Sequence, residues 1–571
     1  MGSVYVPYDL LTNINKNVLP YGPDGIEFPF AYDLTWVYGL GIAVAFLVSM
    51  GIGANDVANS FATSVGAKSL TLVQALIIAA FCEFGGAVLL GASVTSTVKG
   101  GIVKVTDFSE RPDLLMFGML CALISVAFWL SLATALELPV STTHSTVGAI
   151  LGFGLCVNFA PIDWSEVLKI IVSWFMSPAL SGTCAALFYI TVRKLVLTSE
   201  NALERTLKAF PIIVWFTLTI NIFFIIIKGG KSKGWTAKLG GEGVAFGVAT
   251  GIAAVIAVLV WLFLVKRMRK VIENAEPEDI ESLPGSTSVD ESDDEAPSKN
   301  PETNKLEIGQ VSTQVADKKM TWKQRNDAAI HGAEHKCERV NTIHDQAQKY
   351  DPRAEMAFGY IQVFTACAMS FAHGANDVAN AIGPLAAIVD TYDNNAVQEK
   401  SDVNIWTLVL GGGGLVLGLG LFGYKVIRAL GVKLIKVTAS RGSCIELATA
   451  FVVVIGSIFG LPLSTTHTMV GASIGVGIVD GIIQARSARG GAKAINCMLL
   501  FKIVCGWVAT IVVAALVSAA VFSFVVYGPS IINPMAAQNC LNNYGVKVST
   551  PQTVPAQATA LIGLSDGQIL Q

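Results

Sequence analysis

Charge is scarce in this chain. Asp, Glu, Lys and Arg make up 14% of its 571 residues, where soluble globular domains carry about a quarter. Apolar residues reach 53% and mean hydropathy is +0.58, so most of the chain is expected in a membrane. The net charge of −3 gives no reason to expect a nucleic-acid partner. Most of the ten cysteines fall inside apolar runs (Cys82, Cys121, Cys156, Cys184, Cys367, Cys444, Cys497, Cys505), which reads as small hydrophobes rather than a disulfide framework. Residues 1–33 lack a basic stretch followed by an apolar one, so no cleavable signal peptide is expected, and the Met1-Gly2 start lacks the Ser/Thr of a myristoylation site. No nucleophile–base constellation or nucleotide loop appears, so an enzyme is not expected, and no cofactor is called for.

Long apolar runs are abundant instead. A spanning helix takes about 20 residues, and the pattern predicts helices near 34–53, 71–92, 114–136, 145–161, 166–192, 210–228, 243–265, 356–375, 404–424, 443–461, 469–485 and 497–527. That is an all-α polytopic membrane protein of about twelve segments, with the lipid bilayer as its surroundings. The runs at 145–161 and 469–485 are short and glycine-rich, as expected of half-helices or re-entrant hairpins. One polar insert, 266–355, opens with Lys266, Arg267, Arg269 and Lys270 and becomes acidic and Ser/Pro-rich around Ser288–Pro301, a composition too polar to fold alone. Flanking basic residues favour the cytoplasm, which puts both termini outside. Lys425, Arg428, Lys433, Lys436 and Arg441 agree with this, while Lys231, Lys233 and Lys238 run against it. The expected divisions are an extracellular segment 1–33, a first repeat 34–192, connecting helices 193–265, a cytoplasmic and largely disordered loop 266–355, a second repeat 356–527 and an extracellular tail 528–571.

The repeats rest on two duplicated motifs. Gly53-Ala54-Asn55-Asp56-Val57-Ala58-Asn59 returns letter for letter at Gly374–Asn380, 321 positions later (374 minus 53). Leu138-Pro139-Val140-Ser141-Thr142-Thr143-His144 returns as Leu461-Pro462-Leu463-Ser464-Thr465-Thr466-His467, 323 positions later (461 minus 138). With 145–161 counted as a crossing, seven spans separate the copies. An odd number inverts their topology, a recurring plan of secondary transporters with a site at the repeat interface. In the first motif an apolar helix is expected to end at Gly51–Ala54, offering Asp56, Asn55, Asn59 and terminal carbonyls to a hard cation. Asp377, Asn376 and Asn380 repeat the set. Capping with close packing of small residues is the alternative. In the second motif, proline and then Ser141, Thr142 and Thr143 read as a helix N-terminus, a place for an anion. An ordinary Ser/Thr cap is the alternative there. Gly148-x-x-x-Gly152 and Gly471-x-x-x-Gly475 would admit close helix approach. Neither motif holds Lys or Arg, so an anion would rely on dipoles and bound cations. The combination predicts cation-coupled anion transport.

On these residues the sequence resembles the inorganic phosphate transporter (PiT) family of sodium- or proton-coupled phosphate symporters. The resemblance covers nearly all the membrane segments. It implies twelve spans with inverted repeats, phosphate contacted by Ser141, Thr142, Thr143, Ser464, Thr465 and Thr466, and co-transported sodium held by Asn55, Asp56, Asn376 and Asp377. It also implies two intramembrane glutamates, matched by Glu83 and Glu446, for coupling or gating. These are not repeat mates. Aligned spans place Leu415 opposite Glu83 and Leu123 opposite Glu446. A glutamate satisfied by nearby hydroxyls is the alternative for each. The expected function is sodium-coupled phosphate import across the plasma membrane by alternating access. Proton coupling, sulfate as substrate, and a phosphate sensor of the same fold remain alternatives. A homodimer is compatible with the sequence and not specified by it. His144 and His467 read as hydrogen-bond donors or caps, and His373, replaced by Ile52 in the first copy, as a proton-sensitive element. His331, His335, Cys337 and His344 match no zinc spacing, and Ser292 lies in an acidic linker open to phosphorylation.

Overall fold

The computed structural model describes residues 34–157, 161–229, 235–275, 338–398, 402–459, 463–486 and 494–532. Ser288–Pro301, Ser292, His331, His335, Cys337 and the second Leu461-Pro462 lie outside them. Ten helices among the described residues are long and apolar enough to cross a membrane. In chain order the helices are α1 (Thr35–Gly66), α2 (Leu72–Gly101), α3 (Pro112–Ala135), α4 (Thr142–Leu155), α5 (Trp164–Leu197), α6 (Ala202–Lys228) and α7 (Glu242–Glu273). They continue with α8 (Glu338–Gln346), α9 (Pro352–Asn394), α10 (Ile405–Phe422), α11 (Tyr424–Gly431), α12 (Ala439–Ile458), α13 (Thr465–Arg486) and α14 (Cys497–Ile532).

Two of the twelve expected segments fall outside the ten. The segment at 145–161 lies in α4, whose 14 residues rise about 21 Å at ~1.5 Å each, short of a hydrocarbon core about 30 Å thick. The segment at 356–375 lies in α9, a 43-residue helix whose sequence carries a polar stripe described below. The segment at 469–485 belongs to α13, a 22-residue helix that is among the ten by length and composition, longer than the short run read from sequence.

Local chemistry sets several helix ends. Thr71 and Gln74 form a capping box at the start of α2. Asp351 caps α9 by accepting from Arg353 N at 2.8 Å and Ala354 N at 3.3 Å, with Pro352 in the first turn.

The Gly-Ala-Asn-Asp motifs correct the expected helix end. Neither copy terminates a helix. α1 runs through the first copy by widening into a π turn at Gly53–Val57, and α9 runs through the second unbroken. No C-terminal carbonyls are offered there. The glycines serve helix approach instead. A Cβ on Gly53 would lie 1.9 Å from the Leu415 carbonyl oxygen, and one on Gly374 would lie 2.1 Å from that of Glu83. α1 therefore packs on α10 and α9 on α2 backbone to backbone. These contacts pair Leu415 with Glu83 as the two glycines' partners, matching the alignment made from sequence. The spaced glycines of the second motif behave as expected. Gly148 and Gly152 approach Ile511 and Ala515 on α14, and Gly471 and Gly475 approach Pro178 and Gly182 on α5.

The ends of the fold are distinguishable. Thr35 at the start of α1 meets Tyr392 near the end of α9, Oγ1 to hydroxyl at 2.7 Å. Val103 bridges Ile162 between α2 and α5, and Lys99 pairs with Asp390 at 2.6 Å near the ends of α2 and α9. The other end carries the junctions with the 266–355 insert, where Arg269 pairs with Glu204 and α8 leads into α9.

Candidate ion-binding site

Asp56 and Asp377 lie at the middle of the fold, both buried. Asp56 Oδ2 accepts from Thr142 Oγ1 at 2.5 Å and from Thr142 N at 3.2 Å. Its Oδ1 accepts from Thr466 Oγ1 at 2.5 Å and from Asn59 Nδ2 at 3.2 Å. One carboxylate of the first half thus holds hydroxyls from both Ser-Thr-Thr motifs, one of them 410 residues away. Asp377 Oδ2 accepts from Thr465 Oγ1 at 2.5 Å, and its Oδ1 accepts from Asn376 Nδ2 at 2.7 Å. The motifs are laced across the halves a second time. Asn59 donates to Thr466 at 3.0 Å, while Asn380 donates to Thr142 at 3.0 Å and Thr143 at 3.3 Å.

The asparagines divide into two kinds. Asn55 spends both side-chain groups on the turn before α4, donating to Leu138 O at 2.9 Å and Thr134 Oγ1 at 3.2 Å and accepting from Val140 N at 3.0 Å. Asn376 similarly donates to Leu463 O at 3.0 Å and accepts from Ser457 Oγ at 3.2 Å. Both clasp the loop that launches the anion motif, and to ligate a cation each would have to release a loop contact. Asn59 and Asn380 face the threonines instead. The Asn59 Oδ1 atom is buried with no hydrogen-bond partner among the described residues. A lone amide oxygen beside a carboxylate suits a hard cation, which takes all-oxygen ligands.

The serines realise the alternative reading of their motif. Ser141 and Ser464 are helix caps, each accepting from the backbone N–H three residues on, of His144 and His467, at 3.2 Å. The threonines carry the converging hydroxyls.

His373 completes the centre. Its Nε2 lies 2.9 Å from Asp377 Oδ2, and its Nδ1 contacts Glu83 Oε1. Ser370 donates to Glu83 Oε2 at 2.9 Å. Ligand atoms of Asp56, His373 and Asp377 all lie within 4.8 Å of one another. Glu83 thereby reaches the site through one imidazole. Glu446 belongs to a separate cluster, accepting from Thr63 (2.6 Å), Ser64 (2.5 Å) and Gln362 (3.1 Å) on Oε1 and from Thr365 (2.6 Å) on Oε2. Thr63 and Ser64 come from α1, Gln362 and Thr365 from α9, so this carboxylate ties the two motif helices together.

Gln362, Thr365 and Ser370 were not singled out from sequence, and His373 was read as a proton-sensitive element rather than as a member of the ion site. A signal existed. With Asn376 and Asn380 they recur every three to five residues along α9, and Asp377 adjoins Asn376, a polar stripe on one face of a largely apolar stretch of the helix. His144 and His467 stack edge to face, ring centres 4.3 Å apart, between Trp174 and Trp507 at 3.8 Å each. They sit behind the threonines and outside the carboxylate cluster. His344 reaches Val432 O at 3.0 Å and is not part of the site.

Known proteins resemble this chain in sequence and fold. The model of the phosphate transporter family matches residues 52–518, which include every residue of the site. The chain belongs to the phosphate transporter family. It is 28% identical to a sodium-dependent phosphate transporter of Plasmodium falciparum, the match covering 88% of this chain and 99% of that one. It is 30% identical to sodium-dependent phosphate transporter 1 of Rattus norvegicus, over 87% of this chain and 96% of the relative. A solved structure described as the sodium-dependent phosphate transporter superposes with a TM-score of 0.65 at 30% identity, covering 87% of this chain and all of that one. This member of the family is therefore a multi-pass membrane protein of a transporter family.

Proposed function

We propose that the chain is a sodium-coupled symporter that imports inorganic phosphate across the plasma membrane by alternating access, its two repeats inverted in topology and meeting at this site. The carrying observation is that Asp56 binds Thr142 and Thr466, one from each motif copy, at 2.5 Å. The insert 266–355 lies in the cytoplasm and both termini outside. Phosphate takes Thr142, Thr143, Thr465 and Thr466 with the helix starts capped by Ser141 and Ser464; sodium takes Asp56, Asp377, Asn59 and Asn380, with Asn55 and Asn376 holding the loops.

This arrangement explains coupling without a basic residue at the anion. Thr142 and Thr466 donate to Asp56 and Thr465 donates to Asp377, so these hydroxyl protons point at carboxylates. A sodium ion on Asp56 or Asp377 occupies those oxygens, and Thr142, Thr465 and Thr466 can turn their protons to an anion instead. The cation thereby both supplies countercharge and releases the donors. Uptake of labelled phosphate into proteoliposomes, with sodium replaced by choline at fixed pH, tests this. Uptake should collapse in choline, and undiminished uptake sinks sodium coupling. His373, held between Asp377 and Glu83, favours a second reading in which a proton replaces sodium. Uptake in choline driven by an inward proton gradient would select it.

A further inference from the structure

Arg441 is the largest fully buried side chain among the described residues, at the start of α12 and away from the ion site. Its Nε donates to Asp480 Oδ2 at 2.6 Å and its Nη2 to Asp480 Oδ1 at 3.3 Å. Nη2 also donates to Gln348 O at 2.9 Å, and Nη1 to Thr438 Oγ1 at 3.3 Å. Tyr189 donates to Asp480 Oδ1 at 2.7 Å and meets the Tyr350 hydroxyl at 2.8 Å. The guanidinium carbon lies 5.7 Å and 5.5 Å from those two rings. One ion pair thus ties together α5, α12, α13 and the segment that joins the insert to α9.

This knot sits at the insert end. Toward the opposite end, Gly101 and Glu166 share with Thr143 and Asn380 the lining of a cavity of about 20 Å³, room for roughly one water. The fold itself does not require the charges. Shifting Arg441 and Asp480 by the 323-residue offset lands on Gly118 and Val157, and at that place in the first half Gly118 packs against the ring of Phe153. Apolar packing holds the corresponding helices there. A buried ion pair has a property apolar packing lacks. While dry it is costly to break, because each partner would be left as an uncompensated charge. Once water enters, both charges are solvated and their attraction falls to the small value of an exposed pair. Such a contact is firm when shut and weak when open, as a two-state gate requires.

We propose that the Arg441–Asp480 pair, with Tyr189 and the Gln348–Tyr350 segment, is the latch that keeps the cytoplasmic exit shut in this conformation, and that each transport cycle parts it. The proposal rests on the transport reading and on the insert being cytoplasmic. Asp480→Asn weakens the latch, which lowers the outward-open fraction and raises KM for external phosphate in proportion. The expected rise is about tenfold, with amide exchange at 441–446 and 476–484 faster by a similar factor and unchanged at 143–150. Replacing both charges, Arg441→Met with Asp480→Leu, gives an exit held by packing that water cannot relieve. Vmax should fall about tenfold with KM unchanged and exchange no faster than wild type.

Uptake kinetics are read in right-side-out vesicles and exchange on the purified full chain. Wild-type KM and exchange in Asp480→Asn, or wild-type Vmax in the double variant, overturn the latch. If Asp480→Asn does not fold, Arg441→Lys serves beside the double variant. Vmax within a few-fold of wild type in Arg441→Lys alone supports the latch, and equal loss in both overturns it. A wild type that takes up no phosphate would refute the transport reading, and the exchange contrast between the variants still decides the latch.

Discussion

Each site residue is defined by what its side chain can release. Asp56 and Asp377 hold hydroxyl protons and are the groups a cation would occupy, so Asp56→Asn and Asp377→Asn should each weaken sodium activation. Asparagine keeps an amide oxygen but loses the negative charge, whose attraction for a cation at about 4 Å is about 4 kcal/mol at an effective dielectric of about 20, so the sodium concentration for half-maximal uptake should rise roughly tenfold or more. Normal sodium activation in both variants would remove these residues from the cation site. Glu446 makes a different case. Three hydroxyls and one amide donate to it. Glu446→Leu would strand them, at about 1–3 kcal/mol for each buried group left unsatisfied, whereas Glu446→Gln keeps an acceptor. Thermal unfolding in detergent should therefore show a markedly larger loss for Leu than for Gln. Equal losses would mean that the carboxylate is not the structural hub of that cluster.

Helices meet here by backbone contact, and glycine decides where. Gly53 and Gly374 admit no Cβ without moving a carbonyl that would stand about 2 Å away. Alanine at either position must push α1 from α10, or α9 from α2, and shift Asp56 or Glu83 with it. Phosphate uptake by Gly53→Ala and Gly374→Ala should fall at least tenfold, with a lower unfolding temperature. Gly251 has nothing within 4 Å of its would-be Cβ, and alanine there should be neutral or stabilise the helix by up to about 1 kcal/mol. Uptake and unfolding assays on the three variants side by side check both expectations. The motif glycines were visible in the sequence, but their role was misread as helix termination. A glycine that ends a helix and one that admits a neighbour look alike in a single chain. What separates them here is the backbone at Leu415 of α10, 362 residues from Gly53 (415 minus 53), and at Glu83 of α2, 291 residues from Gly374 (374 minus 83).

Over the whole molecule, orientation follows from where the insert lies. An epitope placed after Gln571 should be detected on intact cells, and one placed at 300 only after permeabilisation. The reverse pattern would turn the transporter over and move the Arg441–Asp480 pair to the outside. Much of this organisation was legible in the chain. Hydropathy gave the membrane class because a helix that satisfies its own backbone in lipid shows in sequence as a run of about 20 apolar residues. Duplication marked Asp56, Asp377 and the threonines because an identical heptapeptide 321 positions on is improbable without a repeated unit. The polar stripe on α9 was also present, though its meaning depended on a partner.

What the sequence alone determined is the helical class of the fold and the two duplicated motifs that contain Asp56, Asp377 and the threonines. Only the tertiary structure decided the pairings. Asp56 takes a hydroxyl from Thr466, Glu83 joins the site through His373, and Glu446 gathers residues of α1 and α9 away from it. The structure also sorted Asn55 and Asn376 to their loops and left the Asn59 oxygen with no partner among the described residues. The reason is physical. Period and composition record which face of a helix is polar, because each residue's direction is set by its own backbone. They do not record which distant face it meets, because that is fixed by the packing of several helices at once, by glycine contacts and by the requirement that each buried polar group find a partner.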